Sequence, residues 1–161
     1  MAVDYFLNLG TVEGESADHK HKGEIDLQSW SFGATNAGSF SMGGGGGAGK
    51  VSMQDFHFVM RTSKASPKLM LACATGEHIK KAVLISRKAG TEQQEFLKVT
   101  MSDVLVSSYQ TGGSAQGGDF STDQISLNFA KIEVEYKEQK PDGSLGGAIK
   151  AGYDVKANKK V

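Results

Sequence analysis

Apolar residues recur at every second position over much of the chain, the period of a half-buried strand. Tyr5, Leu7 and Leu9 alternate with Phe6 and Asn8. Ile25 and Leu27 share one face, which continues into Ser29 and Ser31, while Trp30 and Phe32 lie on the other face with Asp26 and Gln28. The apolar face therefore changes midway, as in a strand that leaves one packing layer for another or contains a bulge. Lys50 to Arg61 reads as one strand carrying Val51, Met53, Phe56, Phe58 and Met60. Ala82–Lys88, Glu95–Met101 and Val104–Gln110 read as successive strands, the first two joined by a hairpin-length link. Ile125, Leu127 and Phe129 occupy odd positions, but Ile132, Val134 and Tyr136 occupy even ones. That change of parity predicts a bulge or sharp bend at Ala130. Tyr153 and Val155 suggest a short last strand after the turn signal Pro141–Ser144.

One segment breaks the pattern. Ser66 is placed to cap a helix, Pro67 suits its first position and Gly76 suits its left-handed end. Leu69 with Cys73, and Met70 with Ala74, lie one helical turn apart. Eight or nine strands and one short helix, with no regular alternation of the two, predict an all-β sandwich or small barrel rather than a doubly wound fold.

The 161 residues suit a single domain, 1–161, large enough to hold a core without a disulfide or metal. Glycine is in excess: 21 against 2 prolines, clustered at Gly43–Gly49, Gly112–Gly118 and Gly143–Gly152, which read as loops between strands. Eighteen basic and eighteen acidic residues cancel, so no basic stripe points to nucleic acid. Near-neutrality also lowers the repulsion between copies. The segment MAVDYFLNLG lacks a basic leader and is interrupted by Asp4 and Asn8, so no cleaved signal peptide is expected. No stretch approaches the roughly 20 apolar residues of a membrane span. The lone Cys73 sits among Leu71, Ala72 and Ala74 and reads as a packing residue.

Candidate chemistry is sparse. Gly44 to Lys50 reads GGGGAGK, the front of a phosphate-binding loop. In such a loop a Ser or Thr follows the lysine to bind magnesium, and a helix begins there. Here Val51 follows, with a strand-like segment behind it. His19 and His21 form an H-x-H pair beside Asp18, but in a charged segment without a third ligand; a solvated loop is expected, not a zinc site. His57 and His78 are isolated, and partial burial is expected of each. No G-x-S-x-G elbow and no framed pair of carboxylates occurs. The residues thus predict no catalytic site, metal or cofactor. A soluble β-sandwich that binds a ligand such as a carbohydrate is the alternative reading.

In order and spacing, several blocks resemble the Hcp family of type VI secretion tube proteins. They are MAVDYFLNLG, Gly14–Ser16, Glu24–Asp26, WSFG at Trp30–Gly33, Gly43–Val51, SPKLMLACATG at Ser66–Gly76, Arg87–Gly90, Val104–Gly113, Leu127–Tyr136 and Ala151–Lys160. Phe32 and Tyr153 stand where the family often has tryptophan, and both keep an aromatic ring. The resemblance implies two packed antiparallel sheets forming a small barrel with one helix on its flank. It implies homohexameric rings that stack into a tube. A contractile sheath drives the tube, tipped by a VgrG-type spike, out of the cytoplasm, and small effector proteins ride in the lumen. No C-terminal toxin extension is expected.

On that basis two sets of residues are expected to act in assembly. Ser29 and Ser31 share a strand face away from Trp30 and Phe32, and are expected to face the lumen and its cargo. The segment Gly43, Gly44, Gly45, Gly46, Gly47, Ala48 and Gly49 is expected to make the contact between stacked rings. Glycine is entropically costly to order, so such a segment suits a contact that must form on cue and later release.

Overall fold

The structure is a computed structural model and describes residues 2–38, 50–89, 92–118 and 120–161. Among them are eleven strands and one helix. In chain order these are β1 (Val3–Asn8), β2 (Ile25–Leu27), β3 (Ser29–Ser31), β4 (Ala34–Asn36), β5 (Val51–Met53), β6 (Phe56–Arg61), α1 (Ala65–Thr75), β7 (His78–Lys88), β8 (Glu95–Gly112), β9 (Thr122–Gln139), β10 (Leu145–Asp154) and β11 (Lys159–Lys160). The protein is mainly β, as the alternation predicts.

Nine strands form one antiparallel sheet in the order β11-β10-β9-β8-β7-β1-β2, with β6 joined to β9 and β3 joined to β6. The strands β2 and β3 are separated only by Gln28, whose N–H donates to the Val59 carbonyl on β6 at 2.8 Å. The expected change of face in this segment is therefore a change of partner, from β1 to β6. Through it the pairings lead from β9 by way of β8, β7, β1, β2–β3 and β6 back to β9. The side chains inside this circuit make the core, with Phe56, Phe58, Leu7, Leu84, Met101 and Leu127 wholly enclosed.

The stretch expected as one strand from Lys50 to Arg61 is two. The strand β5 pairs with β4 in a separate ribbon, while β6 joins the main sheet. The break falls at Gln54 and Asp55, where Ser107 and Asn128 each donate to the Asp55 carboxylate, at 2.6 and 3.0 Å. Conversely, the two strands expected at 95–101 and 104–110 are one, and so are those at 121–129 and 132–136.

The predicted irregularity at Ala130 is a bend without an inserted residue. Ser102 faces Lys131 and Val104 faces Phe129, so the register carries straight through. Both strands nevertheless change their buried face there: Val99 and Met101 are buried before Asp103, Val104 and Val106 after it. Asp103 takes a positive φ of 54°, a conformation that short polar side chains tolerate best. On β7, Lys80 stands opposite Asp103, and burial changes parity there too, from Ile79 to Ala82. Three neighbouring strands thus bend along one line, and the core stays on the inside of all of them. The Ala130 carbonyl accepts the Val155 N–H at 2.8 Å. A true bulge lies nearby at Ser107, between Val106 and Ser108.

The helix starts one residue before the expected cap. Lys64 stands at the cap without a side-chain capping bond, while Ser63 accepts the Ala65 N–H at 3.2 Å and its own N–H donates to the Ser66 hydroxyl at 2.9 Å. Ser66 therefore sits inside the first turn. Gly76 ends the helix in the left-handed region, φ 70°, as expected. Ala65, Leu69 and Ala72 face the core, Cys73 packs at its edge, and Met70 and Leu71 are exposed.

Candidate assembly surface

The sheet has two outward-facing regions of opposite character. The first contains Ser29 and Ser31. Both are exposed on β3, while Trp30 and Phe32 turn inward. The Trp30 ring stacks on Phe56 at 5.7 Å and meets Tyr5 edge-on at 6.3 Å, which fixes the strand and so the direction of its serines. Cross-strand register extends this face. Ser31 lies opposite His57, His57 opposite Ser126, and Ser126 opposite Ser108. His57 Nδ1 is 3.2 Å from Ser126 Oγ. The next row runs Ser29, Val59, Gln124, Gln110. The result is a mainly polar face across β3, β6, β9 and β8, with three serines and His57 in one row and Val59 between polar residues in the next. The sequence reading named only its first two members. Alternation assigns the rest to an outward face, but only register shows that they are neighbours.

The second region lies at the far ends of β8 and β9 and on β10. Leu97 lies opposite Tyr136, and Tyr136 opposite Ile149. This row is on the face that elsewhere supplies the core, and it runs out past it: Tyr136 is 46% exposed and Ile149 69%. Beside it, the outer edge of β10 pairs with β11 only at Tyr153 and Asp154. Most of that edge keeps its backbone donors and acceptors unpaired within the described sheet. An apolar row beside an open edge is a surface ready for another chain. Sequence reasoning missed it, because only Tyr153 and Val155 were read as a strand. The signal was there in Leu145, Ile149, Ala151 and Tyr153, all at odd positions, diluted by Gly146, Gly147 and Gly152.

The expected stacking segment Gly43–Gly49 lies outside the described residues. Asn36 and Val51 pair on the β4–β5 ribbon, so both ends of the connection that contains it are held together. Val51 opens a strand rather than a helix, which removes the context that a phosphate-binding loop needs.

Of the four histidines, His19 is exposed and His57 half-buried as expected, while His21 and His78 depart from expectation. His21 is 6% exposed, its ring stacked on Phe6 at 4.3 Å. His78 is exposed rather than partly buried, and its Nε2 lies 2.9 Å from Asp103 Oδ1 at the bend. No group of three potential metal-ligating side chains is found among the described residues.

One buried carboxylate ties the helix to the sheet. Asp123 on β9 is fully enclosed. It accepts hydrogen bonds from Thr62 Oγ1 at 2.8 Å, from the Ser66 hydroxyl and from Tyr109 OH at 3.4 Å. Burial alone would raise its pKa, but the donors, Ser66 foremost, outweigh burial and hold the carboxyl below the ordinary aspartate range. Burial, then the Asp123 charge, push the Tyr109 phenol up, which keeps it a donor.

Comparison with known proteins agrees with this architecture. The profile of the family described as "Type VI secretion system effector, Hcp" matches residues 6–136. The chain therefore belongs to the Hcp family of type VI secretion proteins. It is 49% identical over 160 residues to protein hcp1 of Pseudomonas aeruginosa, covering 98% of each chain. It superposes on Hcp1 from Salmonella typhimurium with a TM-score of 0.85, at 38% identity and full coverage of both chains. A structure described as a type six secretion system protein gives a TM-score of 0.94 at 30% identity, over 99% of this chain and 100% of that one.

The Asp123 network predicts a defined acid response. The carboxyl is held below its unfolded value of about 3.9, so its stabilisation is fully present above that pH and is lost as pH falls through the folded value. An Asp123→Asn variant keeps one acceptor oxygen for three donors. Urea unfolding at neutral pH should show a loss of about 2–3 kcal/mol. The gap from the unmodified chain should narrow below about pH 4.

Proposed function

We propose that this protein is a non-enzymatic tube subunit of a type VI secretion machine. Copies close into hexameric rings, the rings stack into a tube, and the tube leaves the cytoplasm through the apparatus without a cleaved signal peptide. Its partners are further copies of itself, a VgrG-type spike at the tip, a contractile sheath outside and small effector proteins within. Membership of the family supports the role. The observation that carries the assembly is the row Leu97, Tyr136 and Ile149, exposed at Tyr136 and Ile149, beside the open edge of β10.

A ring needs a heterologous interface whose rotation closes. A stable interface buries about 1,200–2,000 Å² with an apolar centre, and two large exposed side chains in register with Leu97 supply such a centre. The serine wall has the opposite role. Ser29, Ser31, Ser108 and Ser126 give a surface of short hydroxyls with little apolar area. Such a surface suits a lumen wall that must pass cargo without holding it.

Placing a charge in the apolar centre tests ring formation. Ile149→Asp should shift the light-scattering mass from six subunits to one, with the circular dichroism spectrum unchanged. A native chain that is itself monomeric would favour a soluble β-sandwich binding module instead. For the lumen, Ser31→Trp should leave rings intact and reduce effector co-purification several-fold; unaltered co-purification would place the serine wall elsewhere. We also assign ring-on-ring contact to Gly43–Gly49. Deleting that segment should preserve hexamers while electron microscopy shows no tubes, and normal tubes would refute the assignment.

A further inference from the structure

Residues 13–24 contribute no strand, yet they are pinned across the outer face of β1 and β7. The two legs of this strap are held together by backbone bonds. The Gly14 N–H donates to the Gly23 carbonyl at 2.8 Å, Ser16 to Glu24 at 3.0 Å and Gly23 to Ser16 at 2.9 Å. A Cβ on Gly14 would lie 2.5 Å from the Glu24 carbonyl oxygen, so the legs can close only on glycine. Underneath is Phe6, the one large apolar side chain that β1 turns away from the core; it is 3% exposed.

Three tethers hold the strap to the body. The Glu15 carboxylate accepts the Lys64 N–H at the start of α1, at 2.7 Å. Asp18 takes both terminal nitrogens of Arg87, at 3.1 and 2.6 Å, and Asp4 accepts from the same guanidinium at 3.2 Å. Arg87 is 2% exposed and lies 4.7 Å over the Phe6 ring. The hydrogen bond to Arg87 pulls the Asp18 carboxyl far below its ordinary range, so this tether stays ionic at any physiological pH.

The third tether is different in kind. His21 Nδ1 lies 2.9 Å from Glu24 Oε1, and Nε2 lies 2.7 Å from Glu95 Oε1 on β8. An ionised carboxylate only accepts. Both contacts are hydrogen bonds only when both ring nitrogens carry protons. We propose that His21 is a proton-operated catch: the imidazolium joins the strap to β8, and loss of one proton releases the strap from Glu95 while Asp18–Arg87 still holds its other end. Glu95 is the contact that gives way. Its side chain is 41% exposed and can turn to water, whereas Glu24 is 18% exposed and belongs to the strap itself.

The surroundings of the ring are rich in carboxylates. The charged groups that face this region are Asp18, His19, Lys20, Lys22 and Glu24 on the strap, Asp4 on β1, Asp26 on β2, Arg87 on β7 and Glu95 on β8. Lys20 and Lys22 are exposed at the rim, which leaves five carboxylates around one enclosed arginine. Burial, then the charges of Asp4 and Asp18, raise the Asp26 carboxyl.

Lys20 and Lys22 provide the readout, because trypsin cuts after both. Cleavage of the purified chain is measured between about pH 6 and about pH 9. At each pH it is normalised to cleavage of the urea-unfolded chain. Cleavage within the strap should rise about tenfold with pH, the factor set by losing roughly one charge-assisted hydrogen bond. Glu95→Gln supplies an amide that pairs with a neutral ring, so its strap should stay protected across the whole range. His21→Gln should give cleavage independent of pH. Equal cleavage of the native strap at both ends of the range, or an undiminished rise in either variant, would overturn the proposal.

Discussion

A long antiparallel pair can feed a single core only if its buried face keeps turning inward, and most of this fold follows from that requirement. The strands β8 and β9 each have eighteen residues, which at about 3.4 Å per residue is roughly 60 Å when straight. A straight pair of that length would carry half of its apolar side chains past any core it helped to enclose. Here the line through Lys80, Asp103 and Ala130 bends three strands together. The positive φ of Asp103 lets the strand reverse its facing within one residue, and the ladder keeps its register on both sides. The bend is also where the other edge of β9 changes partner. Before it β9 pairs with β6 up to Leu127, and after it with β10 from Lys131. Between these partners, the Asn128 side chain reaches Asp55 and the Ala130 carbonyl takes the end of β10.

Where the ladder cannot supply partners, carboxylates do. Asp55 joins the β5–β6 break to the Ser107 bulge, Asp123 joins the start of α1 to β9, and Asp18 joins the strap to β7. Each reaches a donor more than fifty residues away in sequence. Removing water from such a group is costly unless its acceptor sites are filled. The cost falls on any arrangement in which helix, break or strap sits elsewhere, so these acids specify position more than they add strength. Arg87 marks the limit of that economy, since its enclosed Nε has no hydrogen-bond partner among the described residues.

The alternation of apolar residues made most of the strands and the change of face after Leu27 legible in the sequence, because burial on one side leaves a period of two, while the helix was legible from its cap residues and one-turn spacing. The parity change between Phe129 and Ile132 located the bend to the residue. It could not tell an inserted residue from a reversal of facing, because that depends on what the paired strand does, and Asp103 carries no apolar signal. The division at Gln54 and Asp55 was hidden for a similar reason: apolar residues continue across it while their partners change. His21 read as a solvated residue because its neighbours in sequence are charged. Its real environment is Phe6 and Glu95, brought in by other strands. Ser29 and Ser31 were found as outward-facing by alternation alone. Their continuation into His57, Ser126 and Ser108 rests on register, which the sequence does not state.

The two outward regions constrain how copies can meet. An open edge beside exposed apolar side chains invites pairing without limit, and an unlimited heterologous contact gives fibres rather than rings. Two features shorten the usable edge of β10. A register shift between Leu145 and Ala148 distorts one end, and β11, with Lys159 and Lys160, covers the other. Between them only a few residues remain, including Ile149. In the proposed ring, a contact this short needs more than backbone pairing, and Tyr136 and Ile149 are the side chains placed to set its angle. Closure of such a ring would depend on the rotation that this apolar row imposes, and the serine wall, on another part of the sheet, would stay free for what the ring surrounds.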